Sequence, residues 1–259
     1  MPKATFKHLP DEKQERILRM ATQLFAERGF NRTDMEEIAK RSEVAKGSLY
    51  NYFRSKDDLF LHVCRDAIER SRKATWGEVQ DPWDIYKVVD HIFRNHVRFE
   101  FNFPEYQRLH LNFSSSRMER FADKLALESE QHTSRRLKHL LKDGIGQGIV
   151  RKDLDVSMTA FMINSLYILF MASLVSRYYQ IRMKEYLDIE EKFTPASMEN
   201  YLDRIILFIR NYLDPLRGNE KKGLGKGEGC DTLAGSDDER TACHGTVSEG
   251  KNFGRTRYD

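Results

Sequence analysis

The stretch Thr33–Lys56, TDMEEIAKRSEVAKGSLYNYFRSK, holds two short helical patterns separated by a tight break. Thr33 and Glu36 have the Thr-x-x-Glu spacing of a capping box, which predicts a helix starting at Thr33. Met35, Ile38 and Ala39 share one face of it. After Lys40-Arg41-Ser42-Glu43 the pattern resets, and Val44, Leu49 and Phe53 mark a second apolar face. Outside that face lie Lys46, Gly47, Ser48, Tyr50, Asn51 and Tyr52, a mixture of small, hydroxyl-bearing, aromatic and basic groups suited to close approach to a polyanion. From Ala39 to Lys56 the bases are Lys40, Arg41, Lys46, Arg54 and Lys56, and the only acid is Glu43. Together these features describe a helix-turn-helix over about residues 35–54, whose second helix would enter the major groove by its N-terminal turn. Gly47 and Ser48 keep that turn slim, and Lys46 can reach guanine or a phosphate. Tyr50 and Tyr52 offer hydroxyls to phosphate oxygens, with Asn51 between them. Thr33 and Lys56 stand at helix starts, where free N–H groups attract phosphate. On these residues alone a helical hairpin with a solvated basic face stays open.

The run Val44-Ala45-Lys46-Gly47-Ser48-Leu49-Tyr50-Asn51-Tyr52-Phe53, followed by Ser55-Lys56-Asp57-Asp58-Leu59, resembles the recognition-helix signature of the TetR (tetracycline-repressor) family. Upstream, Ile17, Ala21, Leu24-Phe25, Gly29-Phe30, Thr33 and Ile38-Ala39 fall where that family keeps its own. The resemblance covers about residues 12–72. One residue departs from it: Ala45 stands where the family usually has a capping Ser, and an Ala cap costs about 1 kcal/mol. The resemblance implies an all-α fold, with a three-helix DNA-binding domain at 12–72 and a larger helical ligand-binding and dimerisation domain at 73–216. It also implies a homodimeric transcription regulator, a palindromic double-stranded DNA operator, and a small-molecule effector that shifts the fourth helix and relieves repression.

Composition sets limits. Net charge is only +3 over 259 residues, so a nucleic-acid role rests on local charge. Cys64, Cys230 and Cys243 form no disulfide framework, which suits a cytoplasmic protein. No apolar signal core opens the chain. The longest apolar run, 160–175, is interrupted by Asn164, Ser165 and Ser173 and is shorter than the ~20 residues of a membrane span, so a buried helix and no membrane contact are expected. Gly-rich Asp143–Gly148 lacks the Lys-Ser/Thr of a phosphate loop. His91 and His96, five apart, do not share a helix face. No nucleophile elbow, zinc motif or nucleotide fingerprint is present, so neither enzyme activity nor a cofactor or metal is expected.

Residues 1–11 read as a flexible arm carrying Lys3, Lys7 and His8. Pro10-Asp11 opens a first helix with Ile17, Ala21, Leu24 and Phe25 as its buried stripe and Gly29 as a left-handed end. A fourth helix with Leu59, Phe60, Val63, Ala67 and Ile68 leaves the head. Asp81-Pro82 marks a helix start, 117–141 a long helix, and 155–179 a helix apolar on all sides. Thr194-Pro195 opens the last helix, which Asp214-Pro215 stops. The segment 217–259 is Gly-rich and of mixed charge, and reads as a disordered tail.

Aromatic crowding gives the candidate pocket: Phe93, His96, Phe99, Phe103, Tyr106 and Phe113, with Asn164, Tyr167, Phe170 and Met171 from the apolar helix. The expected effector is mainly apolar, with one polar or anionic head near Arg94 or Arg98. The plain alternative is that these residues fill a core. Tyr201, Leu202, Ile205 and Ile209 are the candidate dimer contacts. A second functional reading, an all-helical interaction module that no longer reads DNA, has Ala45 as its single hint.

Overall fold

The computed structural model describes residues 2–80, 82–114 and 119–218, and every regular element among them is a helix. The head comprises α1 (Ala4–Lys7), α2 (Asp11–Arg32), α3 (Met35–Arg41) and α4 (Lys46–Tyr52), and α5 (Lys56–Trp76) leads out of it. Then come α6 (Ile85–Asn102), α7 (Pro104–Phe113), α8 (Glu119–Gly146), α9 (Val156–Val175), α10 (Arg177–Leu187) and α11 (Pro195–Leu213).

Ile17, Ala21, Leu24 and Phe25 bury one face of α2, as the sequence pattern requires. Gly29 has φ 72 and ψ 171, backbone that L side chains rarely adopt, and one more turn runs on to Arg32. Gly29 is therefore a kink within α2, not its end. The predicted Thr33 cap does not form. Thr33 is buried, and its hydroxyl donates to the carbonyls of Leu24 (3.1 Å) and Gly29 (2.9 Å). Asp34 caps α3 instead, its carboxylate accepting from the Glu37 N–H at 2.8 Å. The break between α3 and α4 turns on Glu43, held at φ 55. Arg16 of α2 braces it, donating to the Ser42 carbonyl at 3.0 Å and lying 3.3 Å from the Glu43 carboxylate.

The N-terminal segment is docked, contrary to the loose arm the sequence suggests. Phe6 is 2% exposed, its ring 4.8 Å from Phe53 and edge-on to His62 at 5.6 Å. The Lys3 N–H donates to the Tyr52 carbonyl (2.9 Å), Lys3 Nζ to the Tyr50 carbonyl (2.8 Å), and the Thr5 hydroxyl to the Asn51 carbonyl (2.6 Å). These three acceptors are last-turn carbonyls of α4, which have no partner within a helix.

Head and body share a core, so packing does not break at the boundary drawn at residue 72. Phe121 of α8 lies 5.3 Å from Phe30 and 5.1 Å from Phe60, and Asn112 of α7 donates to the carbonyls of Phe25 and Ala26. The described residues form one compact unit. Helix α6 starts three residues after Pro82, with Asp84 accepting from the Lys87 N–H at 2.8 Å; Asp81 lies outside the described residues. Helix α9 stops at Val175 because Ser176 is extended (φ −109, ψ 122), and α10 follows as a separate helix. No α10 residue is buried, which is why no apolar stripe announces it. Helix α9 is longer than the run counted from the sequence. It has a mean hydropathy of 1.8 and meets the length and composition of a membrane span, yet it packs against α6, α7, α8 and α10. Thr194 and Ser197 form the capping box of α11. The predicted tail, with Cys230 and Cys243, lies beyond the described residues from 219 onward, whereas Cys64 is buried in the head.

Candidate DNA-reading face and effector cavity

The exposed surface of α4 and its cap consists of Ala45, Lys46, Gly47, Tyr50 and Asn51, with Ser48 half-buried beside them. Leu49 and Phe53 are fully buried beneath, so the helix is presented rather than absorbed. Ala45 offers its first turn no side-chain cap. Lys46 pairs with Glu36 of α3 at 2.7 Å and would exchange that carboxylate for a base or phosphate. Three predicted contacts sit differently. Tyr52 is 8% exposed beside Phe6. Thr33 is turned into the head, as described above. Lys56 Nζ donates to the carbonyls of Phe30 (3.0 Å) and Thr33 (2.9 Å) and rides 4.4 Å from the Phe30 ring centre. In this conformation Lys56 ties the start of α5 to the α2–α3 junction.

A cavity of about 480 Å³ opens among α5, α6, α7, α8 and α9. Phe93, His96, Tyr106, Phe113, Asn164, Tyr167 and Met171 line it, as the sequence suggested. Helix geometry separates the rest. Phe93, His96 and Glu100 are spaced three and four apart and share a face of α6; so do Asn164, Tyr167 and Met171 on α9. Phe99 is rotated off that face and packs on Phe103 and Tyr106, at 5.4 and 5.3 Å. Phe103 is 47% exposed, and Phe170 is buried away from the cavity. Neither Arg94 nor Arg98 lines it. Arg94 is bound to Asp90 (3.1 Å), Glu199 (2.7 Å) and Asp203 (2.5 Å), riveting α6 to α11, so the anionic head expected there has no cation to meet.

The sequence reading missed the polar floor of the cavity. His96 is 6% and Glu100 2% exposed, and His96 Nε2 lies 2.9 Å from Glu100 Oε1 and 3.3 Å from the Ser71 hydroxyl. His96 Nδ1 bonds the Tyr167 hydroxyl, and burial pushes the Tyr167 phenol up, keeping it a donor. Burial, with His96 nearby, holds the His110 ring at about 4, so it is neutral at pH 7. The i, i+4 spacing of His96 and Glu100 was the available signal. His91, by contrast, packs edge-on against Trp83 at 4.9 Å. Among the described residues no cluster of His, Cys, Asp or Glu is placed to hold a metal.

The four residues expected at the dimer contact face the wrong way for it. Tyr201, Leu202 and Ile209 are 5%, 0% and 3% exposed, and Ile205 is half-buried. They pack into the body because α11 lies along α6, pinned by Arg94. The exposed apolar side chains of α11 are Leu207 (58%) and Phe208 (56%), and those of α9 include Phe161 (67%) and Met158 (55%).

Residues 17–63 match the family model described as "Bacterial regulatory proteins, tetR family". Over 165 residues the chain is 30% identical to YerO of Bacillus subtilis, an HTH-type transcriptional regulator, covering 58% of this chain and 53% of YerO. It thus spans about half the length of that relative. In fold it is similar to the fatty acid degradation regulator FadR of Bacillus halodurans, with TM-score 0.61 and 20% identity over 77% of this chain and 98% of that one. The regulator FadR of Bacillus subtilis in complex with stearoyl-CoA aligns with TM-score 0.59 and 16% identity, over 77% and 98% of the two chains. At these identities the structural likeness is one of fold alone. The proteins named are regulators, not enzymes.

Proposed function

The chain belongs to the TetR family of transcriptional regulators with a helix-turn-helix head, and from that premise we propose that it is a cytoplasmic repressor released from its operator by a small, mainly apolar effector. One observation carries this reading. Helix α5 is a single element whose first residue, Lys56, is tied to the head and whose last turns, through Ser71, Thr75 and Trp76, line the cavity. A molecule seated in the cavity touches the same rigid element that orients the reading helix. It releases DNA to the extent that it binds the DNA-incompetent arrangement more tightly, and the coupling is reciprocal. The walls, Val89, Ile92, Phe93, Leu125, Ile163 and Met171, favour an apolar body. The FadR neighbour solved with stearoyl-CoA is a precedent in this fold for a ligand with a long hydrocarbon chain.

The reading includes a homodimer. Only 39% of the most apolar window of α9 is buried within one copy. Phe161 and Met158 on that helix, with Leu207 and Phe208 on α11, are apolar groups a second copy would cover. Two heads then read half-sites about 34–36 Å apart, or multiples of that spacing. The test is selection of duplexes from a random pool with the purified chain, followed by a screen for compounds that both stabilise it and release the selected duplex. Enrichment of palindromes and release by lipophilic compounds is the expected result. Release by strongly polar compounds alone, such as sugars, would defeat the apolar reading, and failure to enrich any duplex would defeat DNA recognition.

A further inference from the structure

Among the described residues Glu100 is the one buried acid that lines the cavity, and half of its carboxylate is unanswered. Its Oε1 takes the hydrogen bond from His96, whereas Oε2 is buried with no hydrogen-bond partner. The bonds around it point one way. With the Tyr167 hydroxyl as donor to His96 Nδ1, the second ring nitrogen, Nε2, is the one that faces Glu100 Oε1 as donor. Every member of the chain is satisfied except its last oxygen. Neither arginine lining the cavity reaches Oε2, and Arg72 is exposed and held by Glu69 at 3.0 and 2.6 Å. His110 is neutral and adds no compensating charge. A buried acceptor left without a donor is destabilising, so a wall of this kind favours a ligand that supplies one.

Resting on the effector reading above, we propose that the ligand is a lipophilic amine whose N–H donates to Glu100 Oε2 while its apolar body lies against Ile92, Phe93, Ile163 and Met171. A carboxylate or other anionic head is disfavoured there, because it would set acceptor against acceptor with no donor between them. An alcohol supplies a donor without charge and ranks between the two. The site thus selects the head group by one oxygen and the body by shape, and only the head-group selection depends on Glu100.

Calorimetric titration of the full chain with decylamine, 1-decanol and decanoate separates these contributions. Decylamine is expected to bind about tenfold or more tightly than decanol, with decanoate weakest. Glu100→Gln, nearly the same shape, should remove the preference for the amine and leave the decanol affinity in place. Equal binding of the three by the wild type, tightest binding of decanoate, or an amine preference that survives Glu100→Gln would overturn the proposal while leaving the apolar cavity standing. If none of the three binds, the effector reading falls and takes this one with it. Should Glu100→Gln fail to fold, the wild-type ranking decides alone.

Discussion

Replacing Phe6 by Ala tests whether α1 belongs to the reading head. Phe6 is 2% exposed and sits against Tyr52, Phe53 and His62. A buried Phe hides about 200 Å², worth about 5 kcal/mol at ~25 cal/mol per Å². Part of that surface is already hidden in the unfolded chain, which trims the figure by ~10–40% to about 3–4 kcal/mol. In a unit of this size that amounts to a fall in Tm of about 6–16 °C. The loss should be local in its symptoms. Helix α4 has seven residues, has no side-chain cap at Ala45, and receives its C-terminal bonds from Lys3 and Thr5. Hydrogen exchange across residues 45–53 should therefore speed up, and affinity for a selected duplex, read by fluorescence anisotropy, should drop. Lys7→Ala, at an exposed position, is the control. A Phe6→Ala protein that melts within about 2 °C of the wild type, with α4 amides still protected, would show that α1 is an ornament.

Lys56→Met should lower stability and weaken binding to all duplexes while leaving the salt dependence unchanged, because Lys56 holds two backbone carbonyls; Lys46→Ala should flatten the slope of log K against log salt by about 0.9, the signature of one lost phosphate contact. A lower slope for Lys56→Met would return it to the DNA surface. Phe161→Glu combined with Phe208→Glu should sediment as a folded monomer, whereas Ile209→Glu should unfold, since Ile209 is 3% exposed; an intact dimer in the double variant would contradict the proposed interface. His110 is neutral in the fold, with its value lowered from 6.5 to about 4. The unfolded chain therefore binds the extra proton, and stability is complete above about pH 6.5, falls as pH drops toward 4, and levels off below. Urea melts of His110→Gln across that window should show a shallower fall than the wild type, and identical slopes would count against the assignment.

The head was readable from sequence because each of its elements carries its own signal: the stripe of α2, the glycine at 29, and Leu49 and Phe53 beneath an odd outer face. What failed were inferences about direction. In α11 nearly every position from Tyr201 to Leu213 that is not charged is apolar, since one side meets the body and the other stays apolar at the surface, so periodicity could not say which stripe faced in. Arg94, which decides it, reads in sequence as an ordinary surface cation. Helix α10 buries nothing and so left no pattern. Phe6 was lost because one aromatic in a polar run looks like chance. The cavity was found through its aromatics, but its polar floor depends on Glu100 facing inward, and a glutamate in a helix is by default assigned to solvent.

The tie between Lys56 and the α2–α3 junction has a consequence for how a signal would leave the cavity. Helix α5 has 21 residues, about 30 Å at ~1.5 Å each. A swing of about 5° at the cavity end becomes an arc of about 2.5 Å at the other, a displacement of the size that separates switching states elsewhere. Because Lys56 grips carbonyls of the segment it would otherwise pull away from, the arc carries the head along intact. In a two-fold pair the arcs add, so the gap between reading helices changes by about twice that amount against a major groove only ~12 Å wide. Release would then be a matter of spacing between two unaltered readers. A spectroscopic fingerprint of residues 2–54 should look the same with and without effector, even as the duplex is lost.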